Sequence, residues 1–383
     1  MRQSYRIIPI YTADVSGVCS ALYELGGMTV MHDPSGCNST YNTHDEIRWY
    51  DQESLIFISG LTEIDAITGN DRKFIEDIVY AANEFHPGFI ALAGSPIPYM
   101  TGTDFPAIAR IIEKKTGIPT FSVPTNGMHD YVYGAGIALE EIAKRFTDKA
   151  KNLNLQEKES RTGNRINLLG VTPLDFGPQK NVDIMIQNLH RYGWNVLSTW
   201  AMGDTLENLQ KAGSADVNLV VSAVGLQAAN VLWENFGTPY VVGTPNEWLA
   251  ADVSKALEKA VHEKKQNPEK SASEIVYLQN RIQKEAEITL IGEAVTMGSL
   301  AAGIEKIYGR SVRVFCPLKD CEGLIGEKDG IVLGEEAMEE VLKDAQIVVA
   351  DPLYQPICPK GCDFYGLPHV AFSGRIYQKK YQK

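Results

Sequence analysis

Short apolar runs alternate along the chain with longer segments in which apolar residues recur at helical spacing. This alternation is typical of strand–helix units that build a mostly parallel sheet with helices on its faces. In the first third of the chain, strands are predicted at residues 29–32, 55–59, 88–93 and 119–123. Helices are predicted at residues 71–85, 105–115 and 134–146. Residues 1–150 are therefore predicted to form one α/β domain.

Residues 148–164 are charged and polar and lack large aromatic side chains, which predicts a linker. A second series of strands follows at residues 166–170, 195–199, 217–222 and 239–243. Helical segments are predicted between them at residues 182–192 and 226–236, with a helix or turn near 206–211. These elements predict a second domain at residues 164–265.

A third series begins after helical stretches predicted at residues 253–264 and 272–287. Its strands are predicted at residues 288–292, 311–315, 347–350 and 369–372, within a third domain at residues 266–383. The chain has no sequence repeat with a fixed short period, so the pattern indicates domain recurrence and not a solenoid. The predicted fold class is α/β, with three Rossmann-like domains that are each a mostly parallel sheet flanked by helices.

Composition and charge exclude several classes of protein. The 383 residues, of which 44% are hydrophobic and 22% charged, are typical of a globular protein with two or three domains. A net charge of -12 has the wrong sign for binding a nucleic acid or an anionic membrane. No apolar run approaches the roughly 20 residues of a membrane span, and the first residues are too polar for a signal peptide. The expected location is the cytoplasm, without a membrane or nucleic-acid partner.

Six cysteines stand at the two ends of the chain, and none lies between Cys37 and Cys316. In the cytoplasm they are expected to be metal ligands, redox thiols or buried apolar residues and not disulfides. Cys37 ends the run H-D-P-S-G-C directly after a predicted strand, where a thiolate is well placed to bind iron or zinc. A single cysteine in a turn is more often structural. Cys19 precedes it by 18 residues in a segment that suits a helix, where a core position is the alternative to a metal role.

The four C-terminal cysteines form two short motifs. Cys316 and Cys321 form C-P-L-K-D-C after one predicted strand, and Cys358 and Cys362 form C-P-K-G-C after another. If those strands are neighbours in one parallel sheet, both loops emerge at the same edge and the four sulfurs can meet. A zinc site or a small iron-sulfur site accepts four thiolates. The cysteines are thus a candidate second metal or cluster site, with redox-active thiols and unliganded cysteines as the alternatives.

The histidines and the possible nucleotide-binding motifs indicate a function less specifically than the cysteines do. His32 lies in the Cys37 turn and His369 begins a predicted strand, so both are weak catalytic candidates, although a lone histidine is usually packed or solvated. The chain has no G-x-x-x-x-G-K-[ST] motif, so it is not expected to bind ATP itself. Residues 292–298 follow a strand but lack the spacing of a dinucleotide fingerprint, so NAD is not expected.

Several motifs together resemble one family. Residues 32–37 resemble the H-G-P-x-G-C turn of the nitrogenase component 1 family, which includes the molybdenum-iron protein subunits, cofactor scaffold paralogues and dark-operative protochlorophyllide reductase subunits. Further matches follow in the same order, at residues 62–73, 102–105, 117–119, 218–222, 236–240 and 372–377. The resemblance covers nearly the whole chain, and it is specific for fold and family but not for substrate.

The resemblance implies that Cys37 ligates an interfacial iron-sulfur cluster. The family's first cluster cysteine falls where this chain has Tyr11 or Thr12, and the third falls at residues 93–96, which contain no sulfur. An eight-iron cluster is therefore not expected. A [4Fe-4S] cluster that bridges two subunits is expected instead, with Cys37 and Cys19 as its ligands from this chain.

A second set of departures concerns the substrate. Ser222 stands where the family's molybdenum-iron cofactor is bound by a cysteine, and the cofactor's histidine falls near Pro368 or His369. The missing thiolate argues against dinitrogen and for another substrate, organic or tetrapyrrole-like in character.

The resemblance implies an oxidoreductase component that accepts electrons from an iron protein-like ATPase through the bridging cluster. It implies a homodimer or a heterotetramer with a paralogous chain. Two other hypotheses stay open. One is a non-catalytic scaffold for assembly of a metal cluster or cofactor, and the other is a structural paralogue that completes a heterotetramer.

Overall fold

The computed structural model describes residues 5–8, 10, 12–34, 41, 46–147, 164–267 and 273–377. Within these ranges the named strands form three sheets, and all neighbouring strands in them are parallel. Helices flank each sheet, which confirms the predicted α/β class of three Rossmann-like units. The predicted linker lies outside the described residues except for Asn164, which begins a strand.

The first sheet holds β1 Met28–His32, β2 Leu55–Ile58, β3 Ile90–Gly94 and β4 Thr120–Val123, in the order β2-β1-β3-β4. Its helices are α1 Asp14–Leu22, α2 Glu63–Thr68, α3 Asp71–Phe85, α4 Pro96–Thr101, α5 Phe105–Thr116 and α6 Tyr131–Phe146. Apolar side chains of α3 and α5 cover one face of this sheet. Those of α1 and α6 cover the other face.

The second sheet holds β5 Asn164–Val171, β6 Trp194–Ala201, β7 Val217–Val220, β8 Tyr240–Val242 and β9 Ser273–Ile275, in the order β6-β5-β7-β8-β9. Its helices are α7 Pro173–Phe176, α8 Gln179–His190, α9 Leu206–Leu209, α10 Leu226–Phe236 and α11 Ala250–Gln266. The last strand of this sheet therefore comes from beyond residue 265. The residue limits of the three domains stay a prediction.

The third sheet holds β10 Ile288–Ile291, β11 Val312–Cys316, β12 Gly330–Ile331, β13 Ile347–Ala350 and β14 Asp363–Gly366. Their order is β12-β11-β10-β13-β14. The helices are α12 Ala294–Tyr308, α13 Glu335–Val341 and α14 Val370–Ser373. One hydrophobic core runs continuously through all three units, so the units pack as one body. No helix in the described ranges is long and apolar enough to cross a membrane.

The helical stretch predicted at residues 272–287 is wrong over its described part. Residues 273–275 form β9, which pairs with β8, and a single 3-10 turn follows at Val276–Leu278. Arg281 is then buried against Glu305 at 2.9 Å and Asp329 at 3.3 Å. These tertiary contacts override the helix-favouring composition of the segment.

The strand predicted at residues 369–372 is also wrong, because residues 370–373 form the short helix α14. The Asp351 carboxylate accepts hydrogen bonds from the His369 backbone N–H and the Ser373 hydroxyl, both at 2.7 Å. A four-residue apolar run does not by itself distinguish a strand from a helical turn, and here Asp351 stabilises the turn.

Helices α1 and α6 cross at very close range because both carry glycine at the crossing. A Cβ atom on Gly134 would overlap the carbonyl oxygen of Asp14, and one on Gly17 would overlap that of Tyr131. The absence of side chains thus lets the two backbones touch. This contact brings the first residue of α6 close to the second and third units.

A segment near the start of the chain packs on the third unit. The Glu335 carboxylate accepts hydrogen bonds from the backbone N–H groups of Arg6 at 2.6 Å and Ile7 at 3.0 Å. The N–H of Thr12 donates to the carbonyl oxygen of Ala371 at 3.1 Å. Hydrogen bonds between residues far apart in sequence therefore attach the first described residues to the third unit.

Candidate functional site at the junction of the three sheets

Acidic and hydroxyl side chains meet where strands of the second and third sheets end. Asp175 follows β5, Ser222 follows β7 and Glu293 follows β10. Tyr131, the first residue of α6, reaches the same place from the first unit. In open parallel sheets, ligands bind beyond the carboxyl ends of the strands. The fold therefore places its candidate site at this junction.

Asp175 is the centre of the group. The Tyr131 hydroxyl donates to its Oδ1 and the Ser222 hydroxyl donates to its Oδ2, both at 2.5 Å. His369 Nε2 lies 3.4 Å from Oδ1. The Asp175 side chain is fully buried. Each of the three units thus contributes a polar group to one buried carboxylate.

His369 is held firmly, but its ring is poorly satisfied. Its backbone N–H donates to Asp351, and its ring stacks on Phe372 with 4.3 Å between centroids. The residue is only 8% exposed, yet neither ring nitrogen has a hydrogen-bond partner among the described residues. The 3.4 Å approach to Asp175 is close enough for an electrostatic contact but lacks hydrogen-bond geometry. Each nitrogen of an imidazole is a hydrogen-bond donor or acceptor, so both positions are left for a ligand.

Glu293 supplies a second buried carboxyl. Its oxygens accept backbone N–H groups from Ala223 at 3.1 Å, Val295 at 3.0 Å and Thr296 at 2.8 Å. Burial, together with the nearby charge of Asp175, raises the pKa of Glu293 to about 7, although these three hydrogen bonds oppose the shift. A carboxyl that titrates near neutral pH can hold or release a proton. Tyr131, Asp175, Ser222, Glu293 and His369 are called the junction cluster below.

A pair of thiols lies next to the junction cluster. Cys316 and Cys321 are fully buried, and the Cys321 thiol donates to the Lys319 carbonyl oxygen at 3.2 Å. The neighbouring Cys316 thiol and burial raise the pKa of Cys321 well above its ordinary value, and the charge of Glu293 adds to the shift. The same two thiols and Glu293 also raise the pKa of Tyr277, after burial as the main cause. Cys321 is therefore a neutral thiol in the structure.

The four C-terminal cysteines lie as two pairs and do not meet as a quartet. In the third sheet, β10 separates β11 from β13, so the two strands are not neighbours. Cys316 lies at the carboxyl end of β11. Cys362 directly precedes β14 and so lies at the amino ends of the parallel strands, on the opposite side of the sheet. Among the described residues, no three His, Cys, Asp or Glu side chains are grouped to hold a metal ion. The condition for a four-sulfur site is therefore not met.

A family model described as nitrogenase component 1 type oxidoreductase matches residues 17–301, well over half of the chain. The chain belongs to this family.

Two curated relatives and one solved structure show how far the likeness extends. The nitrogenase iron-molybdenum cofactor biosynthesis protein NifE of Clostridium pasteurianum is 23% identical over 367 residues, which cover 89% of this chain and 75% of NifE. A light-independent protochlorophyllide reductase chain from Zygnema circumcarinatum is 25% identical over 182 residues, 46% of this chain and 35% of the reductase chain. The structure of nitrogenase Cp1 at pH 5 superposes with a TM-score of 0.62 and 17% identity, covering 98% of this chain and 87% of Cp1. At that identity, Cp1 shows the shared fold.

Two positions that the family resemblance singles out meet in this nitrogenase component 1 type chain. Ser222 and His369 both approach Asp175, although they are far apart in sequence. The Ser222 hydroxyl is engaged with Asp175, and a serine offers no thiolate at this position. The junction cluster therefore does not fit a molybdenum-iron cofactor bound in the manner that the resemblance implies.

Of the two cysteines assigned to the bridging cluster, only Cys19 lies within the described residues. Cys37 lies outside the described residues, so its role stays a prediction. Cys19 is fully buried in α1, packed in the main hydrophobic core, which is the core position that the sequence left open. Its neighbour Ser20 donates to Glu46 at 2.9 Å, and Tyr41 donates to the same carboxylate at 3.0 Å. A metal role for Cys19 also stays a prediction.

His32 ends β1 and lines a cleft of about 190 Å³ together with Asp65, Asp71 and Asp104. Its Nδ1 lies 2.8 Å from the Ser59 hydroxyl. Its ring stacks on a phenylalanine at 3.9 Å. Burial lowers the pKa of His32 to about 4, so the imidazole is neutral at physiological pH. A catalytic role for His32 stays a prediction.

Sequence reasoning missed three members of the junction cluster, Tyr131, Asp175 and Glu293. A signal was present for the two acids. Asp175 lies in T-P-L-D directly after a predicted strand, and Glu293 lies in the segment 292–298, which also follows a predicted strand. Carboxylates at the carboxyl ends of predicted parallel strands are candidates for a site on position alone.

Proposed function

We propose that the chain is the reductase component of a nitrogenase-like system. It accepts electrons from an iron protein-like ATPase through an iron-sulfur cluster shared between two subunits, and it reduces a substrate other than dinitrogen. The observation that carries the proposal is the junction cluster, in which Ser222 and His369 approach one buried carboxylate. Membership in the family supports the reductase class.

The junction cluster suits protonation of a reduced substrate. Reduction of an organic double bond needs a proton for each electron that is added, so acids must lie near the substrate. Glu293, with its pKa near 7, and His369, with unpartnered ring nitrogens, are the groups that can supply protons there. Asp175 fixes the Tyr131 and Ser222 hydroxyls, and its Oδ1 lies 3.4 Å from His369 Nε2.

Cys37 is the proposed cluster ligand from this chain. An iron-sulfur cluster bound there would supply one-electron transfer. One cysteine from each of two subunits does not complete a four-thiolate set, so the remaining ligands include Cys19 or groups of a paralogous chain. The proposed assembly is a homodimer or a heterotetramer in the cytoplasm.

An exposed apolar surface near His32 supports a subunit contact. Ile64, Ile67, Tyr99 and Met100 on α2 and α4 are largely exposed. The two helices also line the cleft beside His32, at the end of β1 from which the turn begins. Contiguous exposed apolar side chains of this size are typical of protein–protein contacts.

Iron and acid-labile sulfide analysis of anaerobically purified protein tests the cluster. About four irons per dimer are expected, with loss of iron in Cys37→Ala, because a [4Fe-4S] cluster needs its thiolate ligands. Metal-free protein that assembles normally would contradict the proposal. Cys19→Ala is the matched variant: lost iron identifies Cys19 as a second ligand, and retained iron identifies it as a core residue.

The non-catalytic scaffold remains the alternative, and one observation favours it. NifE, a cofactor biosynthesis protein by its name, matches 89% of this chain, whereas the protochlorophyllide reductase chain matches 46%. Mixing the protein with an iron protein-like ATPase separates the two functions. Reduction of the bound cluster only in the presence of ATP supports the reductase. A cluster that stays oxidised, or that passes to another protein, supports the scaffold.

A further inference from the structure

Cys358 and Cys362 form a half-buried pair of thiols outside the junction cluster. They flank Pro359, Lys360 and Gly361 in a tight turn, in which the Cys362 N–H donates to the Pro359 carbonyl oxygen at 3.2 Å. The turn places the two thiols close enough for each to influence the pKa of the other. Closure of a disulfide therefore needs only a rearrangement within this turn.

The two sulfurs of this pair are not equivalent. The backbone N–H of Val348 and the neighbouring Cys358 thiol both favour the thiolate of Cys362. Burial acts the other way and leaves the pKa of Cys362 above its ordinary value, with the charge of Asp363 adding to the rise. Burial raises the pKa of Cys358 to about 12. The Cys358 S–H is also held by the Tyr354 carbonyl oxygen at 3.5 Å, so Cys362 is the thiol that ionises first and attacks.

We propose that Cys358 and Cys362 form a thiol–disulfide exchange site whose substrates are low-molecular-weight disulfides. The Cys362 thiolate attacks one sulfur of the disulfide, forms a mixed disulfide and releases the first thiolate, which takes up a proton. Cys358 then loses its proton, attacks the Cys362 sulfur and releases the second thiolate. The two cysteines lose two electrons and two protons in total, and the small disulfide becomes two thiols. This site is independent of the proposed reductase function.

The buried pair provides an internal comparison. Cys316 and Cys321 are also neighbouring thiols, but they are at most 1% exposed. A small disulfide reaches a partly exposed cysteine directly, whereas the buried pair reacts only after local opening of the structure. Exposure thus predicts that the two pairs react at different rates.

The exchange site is connected to the junction cluster through the 3-10 helix that precedes Cys358. The Cys358 thiol donates to the Tyr354 carbonyl oxygen at 3.5 Å, within the 3-10 helix Pro352–Ile357. Asp351 caps the start of that helix through the Leu353 N–H at 2.8 Å, and the same carboxylate holds the His369 backbone. One helical segment therefore separates the thiols from the residue that positions His369.

The test is reaction of the reduced, anaerobically purified full chain with oxidised glutathione at about pH 8.5, near the pKa of a free thiol. Remaining thiols are alkylated with N-ethylmaleimide after unfolding and located by peptide mass spectrometry. We expect a reversible Cys358–Cys362 disulfide to form at least about tenfold faster than one between Cys316 and Cys321. Equal rates, fully alkylated Cys358 and Cys362, or a glutathione adduct that does not resolve would each overturn the proposal.

Variants test the order of attack. Cys358→Ser removes the resolving thiol and should trap one glutathione on Cys362, whereas Cys362→Ser should slow adduct formation at Cys358. A faster reaction at Cys358 in the second variant than at Cys362 in the first would overturn the assignment. The double variant Cys316→Ser, Cys321→Ser is the matched control and should react like the unchanged protein. If a variant does not fold, the rates in the unchanged protein still decide the main proposal.

Discussion

At the scale of single residues, the junction holds two buried acids that influence each other. Asp175 accepts two hydroxyl groups, and Glu293 accepts three backbone N–H groups. Two ionised carboxyls cannot share a buried site without a large electrostatic cost, so one of them tends to keep its proton. The raised pKa of Glu293 identifies it as that acid.

Glu293 should make stability depend on pH. Its pKa is raised from 4.5 to about 7 in the folded chain, so the folded state binds more protons than the unfolded state between these values. The stabilisation is complete below pH 4.5 and is lost as the pH rises through 7. Relative to Glu293→Gln, the free energy of unfolding should fall by up to about 1.4 kcal/mol per pH unit in this window. Urea unfolding over a series of pH values measures the difference, and parallel curves would contradict it.

At the scale of elements, the crossing of α1 and α6 positions Tyr131. Gly17 and Gly134 let the two helices touch, and Tyr131 begins α6 at that crossing. Asp130 caps α6 through the N–H groups of Val132 and Tyr133, and it also accepts the Lys319 N–H at 3.2 Å. The loop that joins Cys316 to Cys321 is thereby attached to the same end of α6.

Gly134→Ala should destabilise the protein strongly, although alanine favours helices. The new methyl group would overlap the Asp14 carbonyl oxygen and force the helices apart, at a cost of about 1–3 kcal/mol or more. Gly136→Ala is the matched control on the same helix, because its Cβ would make ordinary contacts with the Gln227 side chain at 3.4 Å and the Val224 carbonyl oxygen at 3.6 Å. Thermal unfolding compares the two variants, and equal midpoints would show that the crossing tolerates a side chain.

Periodicity predicted many of the elements well. The predicted limits 71–85, 226–236 and 347–350 agree with α3, α10 and β13. The failures at 272–287 and 369–372 have a common cause, since buried partners far away in sequence, Glu305 and Asp351, decide the conformation there. The separation of the two cysteine pairs could not be predicted either, because the sequence does not give the order of strands in a sheet. The family motifs indicated Ser222 and His369, but nothing local indicated that both would approach Asp175.

At the scale of the whole molecule, a buried ionic network links the units. Arg48 binds the fully buried Glu46 through two nitrogens at 2.7 and 2.8 Å and also binds Glu24 at 2.7 Å. Glu24 in turn accepts the Gly203 N–H of the second unit at 2.8 Å. Arg375, near the end of the described chain, donates to the Glu46 carbonyl oxygen. Burial opposes ionisation of Glu46, but the hydrogen bonds and charge of Arg48 outweigh it and lower its pKa.

Arg48→Met should therefore destabilise the whole fold. It leaves Glu46 buried without its cation, which typically costs about 3–5 kcal/mol. Arg72→Met is the matched control, because Arg72 makes an exposed pair with Glu76 at 2.8 Å and its loss should change stability little. Chemical denaturation measures both variants. A similar small effect for Arg48→Met would mean that the network contributes little to stability.

The contact of Arg6 and Ile7 with Glu335 also constrains how the chain is made. These two residues leave the ribosome well before their partner, which is synthesised 329 and 328 positions later. At roughly 5–20 residues per second, about 15 to 70 seconds pass before Glu335 emerges. During translation the apolar side chain of Ile7, which is buried in the finished fold, has no third unit to cover it. Ile7 in the first domain is therefore buried only after the third domain has been synthesised.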